Sequence, residues 1–142
     1  MKNSNFPLWI TVVLIILLIW NIIGVLNFYN QVTISEQDLM NLPIEQQNFI
    51  ANIPFWTIIA FGIAVVGGSL GCMALLLKKK VANIFLQLSL AGVIAQMYHN
   101  LVIAKALDIY GPGQITMPIM IISFSILLVW LSKYATKKEW IS

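Results

Sequence analysis

The chain has 142 residues, of which 60% are hydrophobic and only 9% charged, with eight Lys, no Arg, five acids, one Cys and one His. A soluble domain carries roughly 25% charged residues, so a water-solvated globular fold is excluded. About 150 residues make one domain and each bilayer crossing takes about 20 apolar residues, so residues 1–142 are expected to form a single transmembrane domain.

In chain order, four stretches are long and apolar enough to span: 8–28, 55–77, 81–104 and 115–132, none containing Asp, Glu, Lys or Arg. At 1.5 Å per residue the first reaches about 31 Å, which matches a hydrocarbon core of about 30 Å. Helix is predicted over strand because the runs are apolar at nearly every position, whereas barrel strands alternate. The first run is longer than a signal-peptide core and no small-x-small site follows it, only Asn27-Phe28-Tyr29-Asn30, so a retained signal-anchor is expected. The fourth run is the shortest, and Lys133 at its end can snorkel to the headgroups. Trp20 lies too deep for an interfacial belt and is expected to pack between helices. The fold class that follows is an all-α membrane protein, a four-transmembrane-helix antiparallel bundle.

Loops refine this picture. Residues 29–54 form the long outer loop, where Pro43 begins a short amphipathic helix through Ala51. Leu42, Phe49, Ile50 and Ile53 share its apolar arc and Ile44 breaks the pattern. Such a helix either packs as a connector over helix ends or serves as a lid. Lys78-Lys79-Lys80 leaves room only for a tight hairpin between the second and third spans. Gly111-Pro112-Gly113 marks a turn, and Pro118 falls in the opening turn of the fourth helix, where a missing N–H costs little.

Orientation follows from the lysines. With four spans, Lys2, Lys78, Lys79, Lys80, Lys133, Lys137 and Lys138 fall on one side and only Lys105 on the other. Seven lysines and one acid give +6 on the first side, and one lysine with four acids gives −3 on the second. Positive charge is retained inside, so both termini are expected in the cytoplasm of a bacterial inner membrane. These lysines sit at helix ends where orientation accounts for them, and no nucleic-acid partner is implied.

Within the second span Ala60, Ala64, Gly68 and Cys72 recur every four residues, with Gly67 and Gly71 on an adjoining line. Small residues let a partner backbone approach closely. The third helix, with Ser89, Ala91 and Gly92 at similar depth, is the simplest partner, and a second copy of the chain is the alternative.

Polar groups in hydrocarbon are costly and therefore informative. The third helix carries Gln96, His99 and Asn100 on one face by i,i+3 and i,i+4 spacing, with Gln87 on the opposite face; the first helix carries Asn21 and Asn27. Together with Trp56 and Tyr98, the residues His99, Asn100, Gln96 and Asn27 are candidates for a polar pocket in the outer half. That pocket would hold a small uncharged ligand or a proton. The competing reading is plain interhelical hydrogen bonding, worth about 0.6 kcal/mol per pair. No catalytic residues are expected, since no carboxylate pair shares a face within the bilayer. No metal or other cofactor is expected either, because His99 alone falls short of three or four ligands.

Whole-chain layout adds a resemblance. Trp20-Asn21-Ile22-Ile23-Gly24-Val25 with Asn27 and Gln31, the acidic loop with Leu42-Pro43 and Ile53-Pro54-Phe55-Trp56, Gly67-Gly68-Ser69-Leu70-Gly71-Cys72, and Tyr110-Gly111-Pro112 occur in that order over most of the chain. In this the sequence resembles an uncharacterised family of small four-helix bacterial inner-membrane proteins often labelled sugar transporters. The resemblance implies a polytopic membrane protein. Two functional readings stand beside that: a small transporter of an uncharged solute acting as an oligomer, or an accessory subunit bound to another membrane protein. The lipid bilayer is the expected partner in both.

Overall fold

The uncharged run that opens at Leu8 becomes one helix, α1 (Leu8–Val32), in the structure, a computed structural model that describes residues 5–142. Lys2 lies outside the described residues. Pro7 precedes α1 with extended ψ, and the helix closes where the Thr33 N–H and hydroxyl both donate to the Tyr29 carbonyl, at 3.0 and 2.7 Å. It therefore runs four residues beyond the stretch expected to span.

The following segment holds two short helices. In α2 (Glu36–Met40) the Ser35 hydroxyl accepts from the Asp38 N–H at 3.1 Å and donates to its carboxylate at 2.8 Å, an N-cap that satisfies an orphan donor of the first turn. α3 (Ile44–Ala51) starts after Pro43, as expected, and Leu42, Phe49, Ile50 and Ile53 are all half-buried while Ile44 is exposed.

α4 (Phe55–Leu76) and α5 (Ala82–Tyr98) are joined by the lysine turn. α5 does not stop at Tyr98 but widens into a π-helical turn, His99–Ile103, closed by the Ala104 N–H donating to the His99 carbonyl at 2.8 Å. Lys105, with φ 51°, then turns the chain into α6 (Ala106–Tyr110). A 3-10 turn, Pro112–Ile115, feeds α7 (Thr116–Lys137), which is longer at its C-terminal end than the 115–132 stretch expected to span, since Lys133 and Lys137 both remain helical. Regular structure among the described residues is entirely helical. Four of its helical segments are long and apolar enough to cross a membrane: Leu8–Val32, Phe55–Leu76, Ala82–Ile103 and Pro112–Lys137.

Packing runs in a row, α1 on α4, α4 on α5 and α5 on α7. The α4–α5 seam is the closest, and glycine explains why. A methyl group on Gly92 would stand 2.6 Å from the Ala60 carbonyl oxygen, and one on Gly67 would stand 3.1 Å from that of Phe85. Ser89 donates to the Ala64 carbonyl across the same seam, and Gly71 lies under Leu86. Ala60, Ala64, Gly67, Gly68, Gly71 and Cys72 of α4 are all buried, but they serve two neighbours. Ala60, Ala64, Gly67 and Gly71 lie within an arc of about 60° at 100° per residue and meet α5. Gly68 and Cys72 lie further round and meet α1, where the Asn21 amide fills the space a Gly68 side chain would need. Asn21 also donates to the Leu17 carbonyl at 2.8 Å and approaches Cys72 Sγ at 3.9 Å.

Two ends can be told apart. The lysine end holds the α4–α5 turn and the C-terminal end of α7. Both α4 and α7 finish there on a left-handed residue, Lys78 (φ 58°) and Glu139 (φ 57°), with 6→1 bonds from Lys79 to Ala74 and from Trp140 to Ala135 that satisfy terminal carbonyls. Ser142 exchanges backbone hydrogen bonds with Lys78 and Lys80, each 3.0 Å, and buries Ile141. Asn83 bridges to α7 by accepting from Ser132 and donating to Thr136. Above this the apolar core gathers Ile10, Leu14, Leu17, Leu75, Leu86, Leu128 and Leu131, all at most 3% exposed. The loop end carries α2, α3 and α6, where Phe49 meets Tyr110 edge to face at 5.6 Å. Desolvation beside this contact pushes the Tyr110 phenol above its usual range, so it keeps its proton.

Candidate functional site

α1 brings Trp20, Gly24, Asn27 and Gln31 to one line by i, i+4, i+7, i+11 spacing. Apolar side chains in place of these amides would make the line an ordinary packing stripe. In the structure it faces a cavity of about 300 Å³ enclosed by α1, α4, α5 and α7. Trp20 packs between helices, as expected of its depth, with its ring edge-on to Phe124 of α7 at 5.0 Å and 88°. Both rings line the cavity, and beneath them Leu128 belongs at once to the cavity wall and to the apolar core. The aromatic pair is thus the floor separating a hollow half from a solid one.

Six polar side chains line the hollow: Asn21, Asn27 and Gln31 from α1, Gln96 and Asn100 from the third span, and Ser125 from α7. Ser125 spends its hydroxyl on the Ile121 carbonyl at 2.8 Å, the usual back-bond of a helical serine. Asn21 is committed to Leu17 and Cys72. Gln96 is different. It is only 9% exposed, and among the described residues neither it nor Asn27 nor Gln31 has a side-chain hydrogen bond. An amide carries two donors and an acceptor with two lone pairs; the fully buried side-chain atom without a partner among the described residues is instead the Thr57 hydroxyl, which is not part of the lining. Several amides around one hollow amount to an array of donors and acceptors facing empty volume. No lining residue is charged.

The six residues expected to form the pocket divide, and Tyr98 is exposed and absent from the lining. Asn27, Gln96 and Asn100 line the cavity. His99 and Trp56 pack instead against each other, edge to face with centroids 5.5 Å apart, and are absent from the lining. Three residues of α-helix at about 100° each turn His99 about 60° away from Gln96, and the π-helical turn begins only at His99. His99, 4% exposed, remains coupled to the hollow through Nδ1, which stands 3.2 Å from the Asn100 carbonyl oxygen of the side chain. Gln87 is exposed on the opposite side of α5, as its spacing from Gln96 requires. The residues that spacing arguments on the third helix alone did not reach are Trp20, Gln31, Phe61 and Phe124. The signal for the first two was present in the polar line on α1.

Asn100 also borders a second, smaller cavity of about 160 Å³, with Met97 and Pro118 shared between the two. Leu107 and Tyr110 of α6 wall it at the loop end, so α6 and, through the Phe49–Tyr110 contact, α3 cover this side. Among the described residues no group of His, Cys, Asp and Glu is placed to hold a metal ion. No family model, no curated protein and no solved structure matches the chain.

Proposed function

We propose that the chain is a four-span antiparallel bundle of the bacterial inner membrane, both termini cytoplasmic, that binds a small uncharged solute in its outer half and transports it as an oligomer. The single observation that carries the binding reading is Gln96, a residue only 9% exposed that lines the cavity without a side-chain hydrogen bond of its own. A volume of about 300 Å³ lies at the lower end of the roughly 300–1,000 Å³ of small-molecule pockets. The chemistry of the walls favours a neutral ligand, because an ion would lose its hydration without meeting a counter-charge. Amides offer both donors and acceptors to hydroxyl or carbonyl groups, and Trp20, Phe61 and Phe124 supply apolar faces. The sugar label carried by the family that the sequence resembles is compatible with such walls.

Transport needs the floor to open. In the state described, the cavity narrows at Trp20 and Phe124 and ends on Leu128, where the apolar core seals the lysine end. Four helices enclose this one-sided site but leave little for a second pathway, which is why a second copy is part of the reading. The test is a thermal-shift panel on the detergent-purified protein with uncharged sugars, polyols, amides and monoacylglycerols. At least one is expected to raise the melting temperature of the native chain and not of Gln96→Leu, with His99→Ala weakening the shift less. If no uncharged compound discriminates the native chain from Gln96→Leu, the binding reading is lost. A mass measurement separates the oligomer, expected here, from a complex with a different membrane protein.

A further inference from the structure

The cavity is not exposed evenly. Its lining residues on α4 and α5 are buried apart from the half-buried Phe61, and the exposed lining residues are Ile23 and Asn27 of α1 and Met117 of α7. Ile23 is 49% exposed and Met117 45%. A residue that borders a hollow and also the surface marks its mouth, and here every such residue stands on α1 or α7. These two helices are the ends of the packing row, and their backbones do not pack closely on each other. The hollow is therefore closed behind by α4 and α5 and open in front along the α1–α7 seam.

Depth decides what lies outside that seam. Ile23 is five residues inside position 28, the outer end of the stretch expected to span, about 8 Å along the axis at 1.5 Å per residue and so within the outer half of a hydrocarbon core of about 30 Å. For a spanning bundle, acyl chains border an opening at that depth. Polar groups line it at every depth, Asn21 and Ser125 among the deepest. Gln31 and Asn27 stand towards the loop end, and Ile23, Ile121 and Phe124 lie deeper.

We infer that the ligand is a single-chain amphiphile with an uncharged hydrogen-bonding head, admitted sideways from the outer leaflet between α1 and α7. This rests on the binding reading above and adds the ligand's class and its route. The amides take the head, and the exposed, apolar part of the mouth lets the chain trail into lipid. A volume of about 300 Å³ admits a head and the start of one chain, and α6 with α3 covers the neighbouring loop-end cavity.

The experiment uses the full chain in phosphatidylcholine nanodiscs with a monoacylglycerol bearing a diazirine next to its glycerol head. After irradiation, labelled peptides are mapped by mass spectrometry, with unlabelled monoacylglycerol or free glycerol as competitor. Labelling is expected on the segments holding Asn27 and Gln96. By mass action it should fall about tenfold under a tenfold excess of unlabelled monoacylglycerol, stay unchanged under glycerol, and drop in an Ile23→Phe, Met117→Phe double variant that narrows the seam. Labelling that glycerol competes as well as monoacylglycerol does would overturn the lateral amphiphile while leaving the binding site standing. Uncompeted labelling spread equally over the exposed side chains of α4, such as Ile63 and Leu70, overturns the inference on the native chain alone. The Gln96→Leu thermal shift with water-soluble solutes judges the binding reading separately.

Discussion

The lysine half and the loop half of this molecule are built from the same four helices, yet one is solid and the other hollow. Below the Trp20–Phe124 pair, Leu14, Leu17, Leu75, Leu86 and Leu131 interlock with at most 3% exposure. Above it, the same helices hold amides around about 300 Å³ of space. The difference lies in what faces inward: branched apolar side chains that fill volume, against amides that leave it free and ask for a partner. A bundle can thus be stabilised by one half and left free to bind with the other.

Equivalent truncations in the two halves sharpen this contrast. Leu14→Ala empties a fully buried site and should cost about 2–5 kcal/mol, read as the shift in reversible unfolding in mixed micelles. Gly68→Leu places a side chain where the Asn21 amide sits, at the boundary of the halves. It should cost about 1–3 kcal/mol through overpacking, and an unchanged melting curve would show that α1 does not pack closely on α4 there. Ile121→Ala removes atoms from a wall that already borders space. The cost in the same assay should stay near 1 kcal/mol, because the transfer term remains and little new cavity forms. If Ile121→Ala costs as much as Leu14→Ala, the hollow is filled in solution. Smallest in stability is Gln96→Leu, expected to stay within about 1 kcal/mol of the native chain, since the amide it removes makes no hydrogen bond within the chain. A loss of stability there would show that the amide has a partner within the chain.

Much of the solid half was legible in the sequence. Freedom from charge over about 20 residues fixes a span almost by itself, and the glycine and alanine spacing in α4 announced a close contact. That these small residues serve two neighbours follows from their angles once α1 is placed beside α4: Gly68 turns to Asn21 while Gly71 turns to Leu86. The short helix after Pro43 was legible from its apolar arc. α2 was not anticipated, since its cap rests on the local Ser35–Asp38 pair inside a polar stretch with no apolar periodicity.

The hollow half was legible only in part. Asn27, Gln96 and Asn100 were reached because amides are rare in hydrocarbon. The partnership of His99 with Trp56 joins two separate spans, a contact that spacing within one helix does not reveal. Trp20, Phe61 and Phe124 look like ordinary apolar residues of three separate spans, and only the packing of the helices makes them walls of one hollow.

The most direct measurement compares thiol reactivity in the two halves. In a Cys72→Ala background, single cysteines at Gln96 and at Leu86 are exposed in membranes to N-ethylmaleimide, a small neutral reagent that needs a hydrated thiol. A polar hollow holds water and a close-packed apolar core does not, so Gln96→Cys should be modified at least about tenfold faster than Leu86→Cys. Equal rates at the two positions, or protection of both, would contradict the division of this molecule into a packed half and a hollow one.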